Sequence, residues 1–127
     1  MSLVLDGSNG ITMPVGSQSN ASVVAWANFN GTATSGSATI RASYNVSSIT
    51  ANSAGNFTVN FATALQDANY AFVGTMSPTT SITNIPRTSV SLSYATAPTT
   101  TQLVFFTGDS ANGNFASPQY VSFAVFR

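Results

Sequence analysis

The 127-residue chain carries three arginines and three aspartates, no lysine, glutamate, histidine or cysteine, and a formal net charge of zero. Neutralisation of nucleic-acid phosphates and adhesion to an anionic membrane both need basic stripes, so both are excluded as modes of binding. Disulfides and thiolate metal sites are excluded with cysteine. Polar surface must come almost wholly from Ser, Thr, Asn and Gln.

The length suits one domain with a real core, and 43 % hydrophobic residues supply it, with nine Phe, four Tyr and Trp26. No apolar run reaches the roughly 20 residues of a membrane-spanning helix. Met1-Ser2-Leu3 lacks the basic start and long apolar stretch of a secretory signal, so synthesis in a cytosol is expected. A neutral surface without lysine leaves strand edges and faces poorly protected against association. That favours a surface meant to be covered by other subunits.

Helical periodicity is almost absent, and the strand period of two recurs instead. Residues 1–22 are rich in Gly, Ser and Asn, with short apolar pieces Leu3-Val4-Leu5 and Ile11-Thr12-Met13. They form either a first strand or an arm that docks onto a partner. Strands are expected at 23–29 and 39–44, then at 46–51 and 57–61 as a hairpin. Its five-residue loop, 52–56, contains Gly55. Phe57-Thr58-Val59-Asn60-Phe61 is the cleanest alternation in the chain. Residues 62–68 are expected to turn rather than coil into a helix. Further strands follow at 70–73, 90–94, 102–106 and 120–126. The first, third and fourth of these are apolar enough to be covered on both faces. Asn9-Gly10, Asn30-Gly31 and Asn112-Gly113 suit tight turns with positive φ. Residues 78–86 and 107–118 read as long loops, the second with Phe115 near its centre. Loops on a rigid β scaffold are usual places for recognition. The pattern predicts a single all-β domain at 23–127, an antiparallel β-sandwich or barrel-like, jelly-roll-like fold.

Chemistry is scarce. Nucleophilic catalysis needs a base beside the nucleophile, and neither His nor Lys exists here. No phosphate loop or dinucleotide fingerprint is present. No catalytic, cofactor-binding or metal-ligating residue is therefore assigned, and a non-enzyme is expected. Asp109 with Asn112 and Asn114 has the look of a calcium loop. It lacks the other carboxylates and the closing glutamate, so a solvated turn is the expectation. Arg41, in the middle of a strand, either pairs with Asp67 or points outward. Trp26 is expected to fill core rather than to stack on a sugar.

Several segments resemble small β-rich proteins and tail-fibre C-terminal regions of tailed bacteriophages, cyanophages among them. They are Val24-Ala-Trp-Ala-Asn-Phe-Asn-Gly31, Ile40-Arg-Ala-Ser-Tyr-Asn-Val-Ser-Ser-Ile49 with the hairpin running on to Phe61, and Gln66-Asp-Ala-Asn-Tyr70. The opening Met1-Ser-Leu-Val-Leu-Asp-Gly7 and the ending Tyr120-Val-Ser-Phe-Ala-Val-Phe-Arg127 share the likeness. It covers most of residues 1–74 and the last eight. The resemblance implies a virion surface protein made in a host cytoplasm, without cofactors, and most often a homotrimer. It offers no catalytic residues. With an expected radius of gyration near ~14 Å the chain is a knob and not a whole fibre. The leading expectation is a homotrimeric tail-fibre or fibre-tip protein. It would be anchored to tail or capsid proteins through 1–22, and its loops at 78–86 and 107–118 would contact the host surface, including a host glycan. The alternative is a capsid decoration, or cement, protein. The receptor-contact residues stay unassigned. In the last strand, Phe123 and Val125 are expected on one side and Tyr120 and Phe126 on the other.

Overall fold

The computed structural model describes residues 4–6, 10–12, 22–78, 88–109 and 113–127. Twelve strands occur among them. They are β1 (Val4–Asp6), β2 (Gly10–Thr12), β3 (Val23–Phe29), β4 (Gly36–Ser37), β5 (Ile40–Tyr44) and β6 (Val46–Ser53). The chain continues through β7 (Asn56–Phe61), β8 (Ala71–Met76), β9 (Thr88–Leu92), β10 (Gln102–Asp109), β11 (Asn114–Phe115) and β12 (Val121–Phe126).

Two antiparallel sheets pack face to face as an open β-sandwich. The small sheet has the order β5-β3-β12-β8. The large sheet runs β10-β7-β6-β4, with β9 on the other edge of β10 and β11 paired to its far end. β1 and β2 pair with each other as a separate two-stranded sheet. Residues 62–68 contain no helix, as their sequence predicted.

Strand parity builds the core. In β7 Phe57, Val59 and Phe61 point inward and Asn56, Thr58 and Asn60 outward; β12 buries Val121, Phe123 and Val125 in the same way. Five rings meet between the sheets. Phe29 stands edge-on to Phe57 at 5.1 Å and to Phe105 at 6.2 Å, while Phe72 and Phe123 lie against Phe105 at 5.3 and 5.8 Å. Edge and tilted contacts at these distances suit the ring quadrupoles and add to the burial of apolar area. Ala25, Ala27 and Ala51 are the small residues between them and let the sheets approach.

The chain passes between sheets at Asn45, which links β5 to β6. Asn45 is the one residue other than glycine with positive φ among those described, at 53°. Asparagine tolerates this left-handed conformation because its amide can bond locally. Gly55 has φ 67°, and its peptide lies against β10 and β11: the Thr107 N–H donates to the Gly55 carbonyl at 2.8 Å.

Several expectations are corrected. The β6–β7 loop is shorter than five residues, since Ser53 pairs with Asn56 and only Ala54 and Gly55 turn. Gly31 has no positive φ; it is needed because a Cβ there would lie 2.7 Å from the Pro118 carbonyl oxygen. Residues 70–73 are not covered on both faces, because β8 is the outer strand of the small sheet and exposes Ala71, Val73 and Thr75. β10 and β12 each bury one face and leave the other half-buried. β9 lacks clean alternation: it is an edge, and Leu92 and Tyr94 are exposed. Of the expected loop at 107–118, the described part folds back as β11 on β10. Thr107 is fully buried there, its hydroxyl donating to the Ala116 carbonyl at 2.7 Å. Of the loop at 78–86 all but Pro78 lies outside the described residues.

Candidate functional site

The two outer faces of the sandwich differ in chemistry. On the large sheet the outward positions form a ladder of amides and hydroxyls. Asn60 Nδ2 donates to Ser48 Oγ at 3.0 Å, and Gln102 Nε2 donates to Asn60 Oδ1 at 2.7 Å. Asn52 Nδ2 donates to Asn56 Oδ1 and Thr58 Oγ1 at 3.0 and 2.9 Å. Such a face is satisfied within itself and by water.

The outer face of the small sheet carries one apolar row that spans its whole width. Antiparallel register places Tyr44 opposite Trp26, Trp26 opposite Ala124, and Ala124 opposite Val73. One row thus crosses all four strands, with Tyr44 57 %, Val73 55 % and Trp26 38 % exposed. The next row is polar: Ala42, Asn28, Ser122 and Thr75 lie across from one another, and Asn28 Nδ2 donates to Ser122 Oγ at 2.6 Å. Val23, also exposed, continues the apolar surface toward an open corner groove of 710 Å³ between Tyr44 and residues 62–66.

Trp26 is therefore not core, against expectation. In β3 the inward set is Ala25, Ala27 and Phe29, a bulge sets Val23 opposite the outward Phe126, and Trp26 shares its side with Asn28. That parity is legible in Val-Val-Ala-Trp-Ala-Asn-Phe, and it would have found Trp26. Parity also sets Tyr44 beside Ala42 and Val73 beside Ala71 and Thr75.

Arg41 points outward and does not pair with Asp67. A bulge at Asn28/Phe29 leaves Arg41 as the unpaired residue of β5, and bulges re-aim side chains in this way. Its guanidinium sits 4.4 Å from the centroid of the Tyr120 ring, donates to the Gln119 carbonyl at 2.8 Å and reaches Asn28 Oδ1 at 3.4 Å. It thus fixes the segment that enters β12 at the rim of the apolar face. Tyr120 precedes β12 and is exposed, Phe126 is half-buried on the outer side, and Phe123 and Val125 face inward as expected.

Asp67 is taken by Arg127 instead. Arg127 Nε lies 3.0 Å from both carboxylate oxygens and its Nη2 2.6 Å from Oδ2. Hydrogen bonding from Arg127, helped by the Asn69 N–H, holds the Asp67 carboxyl below the usual range, and the same pairing raises Arg127. Tyr70 donates its hydroxyl to the Thr99 and Gln102 carbonyls at 3.1 and 3.3 Å, and burial pushes its pKa up to about 12. Both groups are bound in structural contacts rather than held ready for proton transfer.

Among the described residues no three of His, Cys, Asp and Glu come together. Asn112 of the calcium-like trio lies outside the described residues. Asp109 and Asn114 are cross-strand partners in the β10–β11 pair. The chain matches no protein-family model, no curated protein and no solved structure.

Proposed function

We propose that this chain is a non-enzymatic structural protein of a tailed-phage virion, a homotrimeric fibre-tip knob that contacts the host surface. The observation that carries the reading is the Tyr44–Trp26–Ala124–Val73 row, exposed on one sheet face, while the β6–β7 part of the other face is a ladder of amides and hydroxyls. Covering Tyr44, Trp26 and Val73 removes on the order of 300 Å² from water per subunit, roughly 7 kcal/mol gross at 25 cal/mol/Å². Three small sheets turned toward a common axis bury that row from every subunit at once. Closed point symmetry of this kind is the usual state of homo-oligomers. The resemblance to phage fibre proteins read from most of residues 1–74 and the last eight points to the same assignment.

Sedimentation velocity on the purified chain tests the assembly. Three copies per particle are expected, and a monomer at high concentration contradicts it. Quantitative mass spectrometry of purified virions tests the location. Copy numbers in the tens support a fibre, whereas hundreds would make the protein a capsid decoration.

A further inference from the structure

A second feature lies on the other sheet, away from the apolar row. At the far end of β10, Gly108 pairs with Phe115 of β11 on one side and with Ser89 of β9 on the other. Gly108 has no side chain, and the space a Cβ would take is closed by the Asn114 carbonyl oxygen at 2.9 Å, so a backbone floor lies between Phe115 on one side and Ser89 on the other. One step along the same face, Phe106 lies opposite Ser91. Phe106 and Phe115 stack with centroids 5.2 Å apart at 26°. The stack holds Phe115 as a fixed plate although it is 61 % exposed. Asp109 and Asn114 also line the groove, whose volume is 290 Å³.

We infer that this groove binds one neutral pyranose ring of a glycan. An exposed, immobilised aromatic face offers negative quadrupole to the C–H groups on one face of a sugar. Across the groove from that plate the Ser91 hydroxyl can donate and accept, while Ser89, whose hydroxyl donates to the Gly108 carbonyl at 3.4 Å, offers its lone pairs to ring hydroxyls. Among the described residues that line the groove none is a cation, so this lining favours a neutral ligand. Its volume lies at the low end of ligand sites, which suits a single ring rather than a long chain. The polar face of the large sheet leads away from the groove and lets a longer saccharide continue over amides and hydroxyls. The inference names the host-contact part of the fibre-tip reading and rests on it, but it uses none of the residues of the assembly face.

The test is saturation-transfer NMR on the full chain with the methyl glycosides of glucose, galactose, mannose and N-acetylglucosamine. Immobilised polysaccharides of the same sugars form a second arm. At least one glycoside is expected to receive saturation at millimolar concentration, strongest on the C–H groups of one ring face. Phe115→Ala and Phe115→Leu should weaken binding about tenfold or more, and Phe115→Tyr should restore it. In the monovalent glycoside arm Trp26→Thr, on the opposite sheet, should leave it unchanged. Binding of the free glycoside alone marks a soluble sugar as the ligand; binding in both arms marks a surface glycan. No saturation with any of the four glycosides, or full binding by Phe115→Leu, overturns the site. Sedimentation of the same samples separates the two readings: intact trimers that bind no glycoside sink the groove and leave the assembly standing.

Discussion

Asn45 and Thr63 are bonded in both directions. The Thr63 N–H donates to Asn45 Oδ1 at 2.7 Å, and Asn45 Nδ2 donates to the Thr63 carbonyl at 3.1 Å and to that of Val24 at 3.1 Å. One amide thus joins the corner between the sheets, the start of the segment after β7, and β3. The same residue holds the positive φ that turns the chain from one sheet to the other.

Substitution at Asn45 separates these two roles. Asn45→Gly keeps the turn and loses the amide, so it should cost about 1 kcal/mol, the worth of the hydrogen bonds. Asn45→Ala loses both and adds a left-handed penalty of roughly 1–2 kcal/mol, for a total of about 2–3 kcal/mol. Urea unfolding at one fixed protein concentration measures the difference. Equal losses for the two variants would mean that the backbone at Asn45 is not strained.

Gly31 is a site of close approach, not of unusual φ. An added Cβ would stand 2.7 Å from the Pro118 oxygen and 2.8 Å from Val121 Cγ2. Pro118 lies in the segment that leads into β12 and Val121 is the first residue of that strand and wholly buried, so neither neighbour yields easily. Gly31→Ala should cost about 1–3 kcal/mol, as overpacking does. Thermal unfolding registers this as a drop of several degrees; an unchanged midpoint would show that the turn shifts freely.

Acid should weaken the fold in part through Asp67. Its carboxyl is held below the ordinary value by Arg127, so its contribution is fully present above the unfolded pKa of about 4. It is lost as pH falls through the lower, folded value. Arg127 is raised, so its share disappears only at strongly alkaline pH. Melting curves between pH 6 and 2.5 should therefore fall less steeply for Asp67→Asn than for the unaltered chain. An identical slope would assign the acid sensitivity to other groups. Because the pair is exposed, added salt should shrink the difference.

Much of the fold was legible because the strand period is local. Phe57 to Phe61 alternates so cleanly that β7, its inward face and its hairpin partner follow from the residues alone. Arg41 was legible only halfway. Its outward direction was one of two alternatives, and the bulge that aims it at Tyr120 depends on register between β5 and β3, which no local pattern records. Trp26 was misplaced because its size argued for burial, while the parity shared with Asn28 argued for exposure. Parity is geometric and won; aromatic bulk is only a tendency. The groove at Gly108 was illegible for a different reason: Ser89, Gly108 and Phe115 meet only once β9 and β11 pair with β10.

The contrast between the outer faces gives the last prediction. Trp26→Thr keeps a β-branched strand former at an outward position, so the dissociated subunit should unfold within about 0.5 kcal/mol of the unaltered chain. Its association should weaken at least about tenfold, since a half-covered indole represents on the order of 100 Å² of buried area. Asn60→Val should do the reverse. It removes the bonds to Ser48 and Gln102 and lowers subunit stability by about 1 kcal/mol. It should leave association unchanged, because the polar ladder faces water. Equilibrium sedimentation across a dilution series reads association, and denaturant unfolding at the lowest concentration reads stability. If Asn60→Val disrupts assembly while Trp26→Thr does not, the subunits meet through the amide ladder and the apolar row faces another partner.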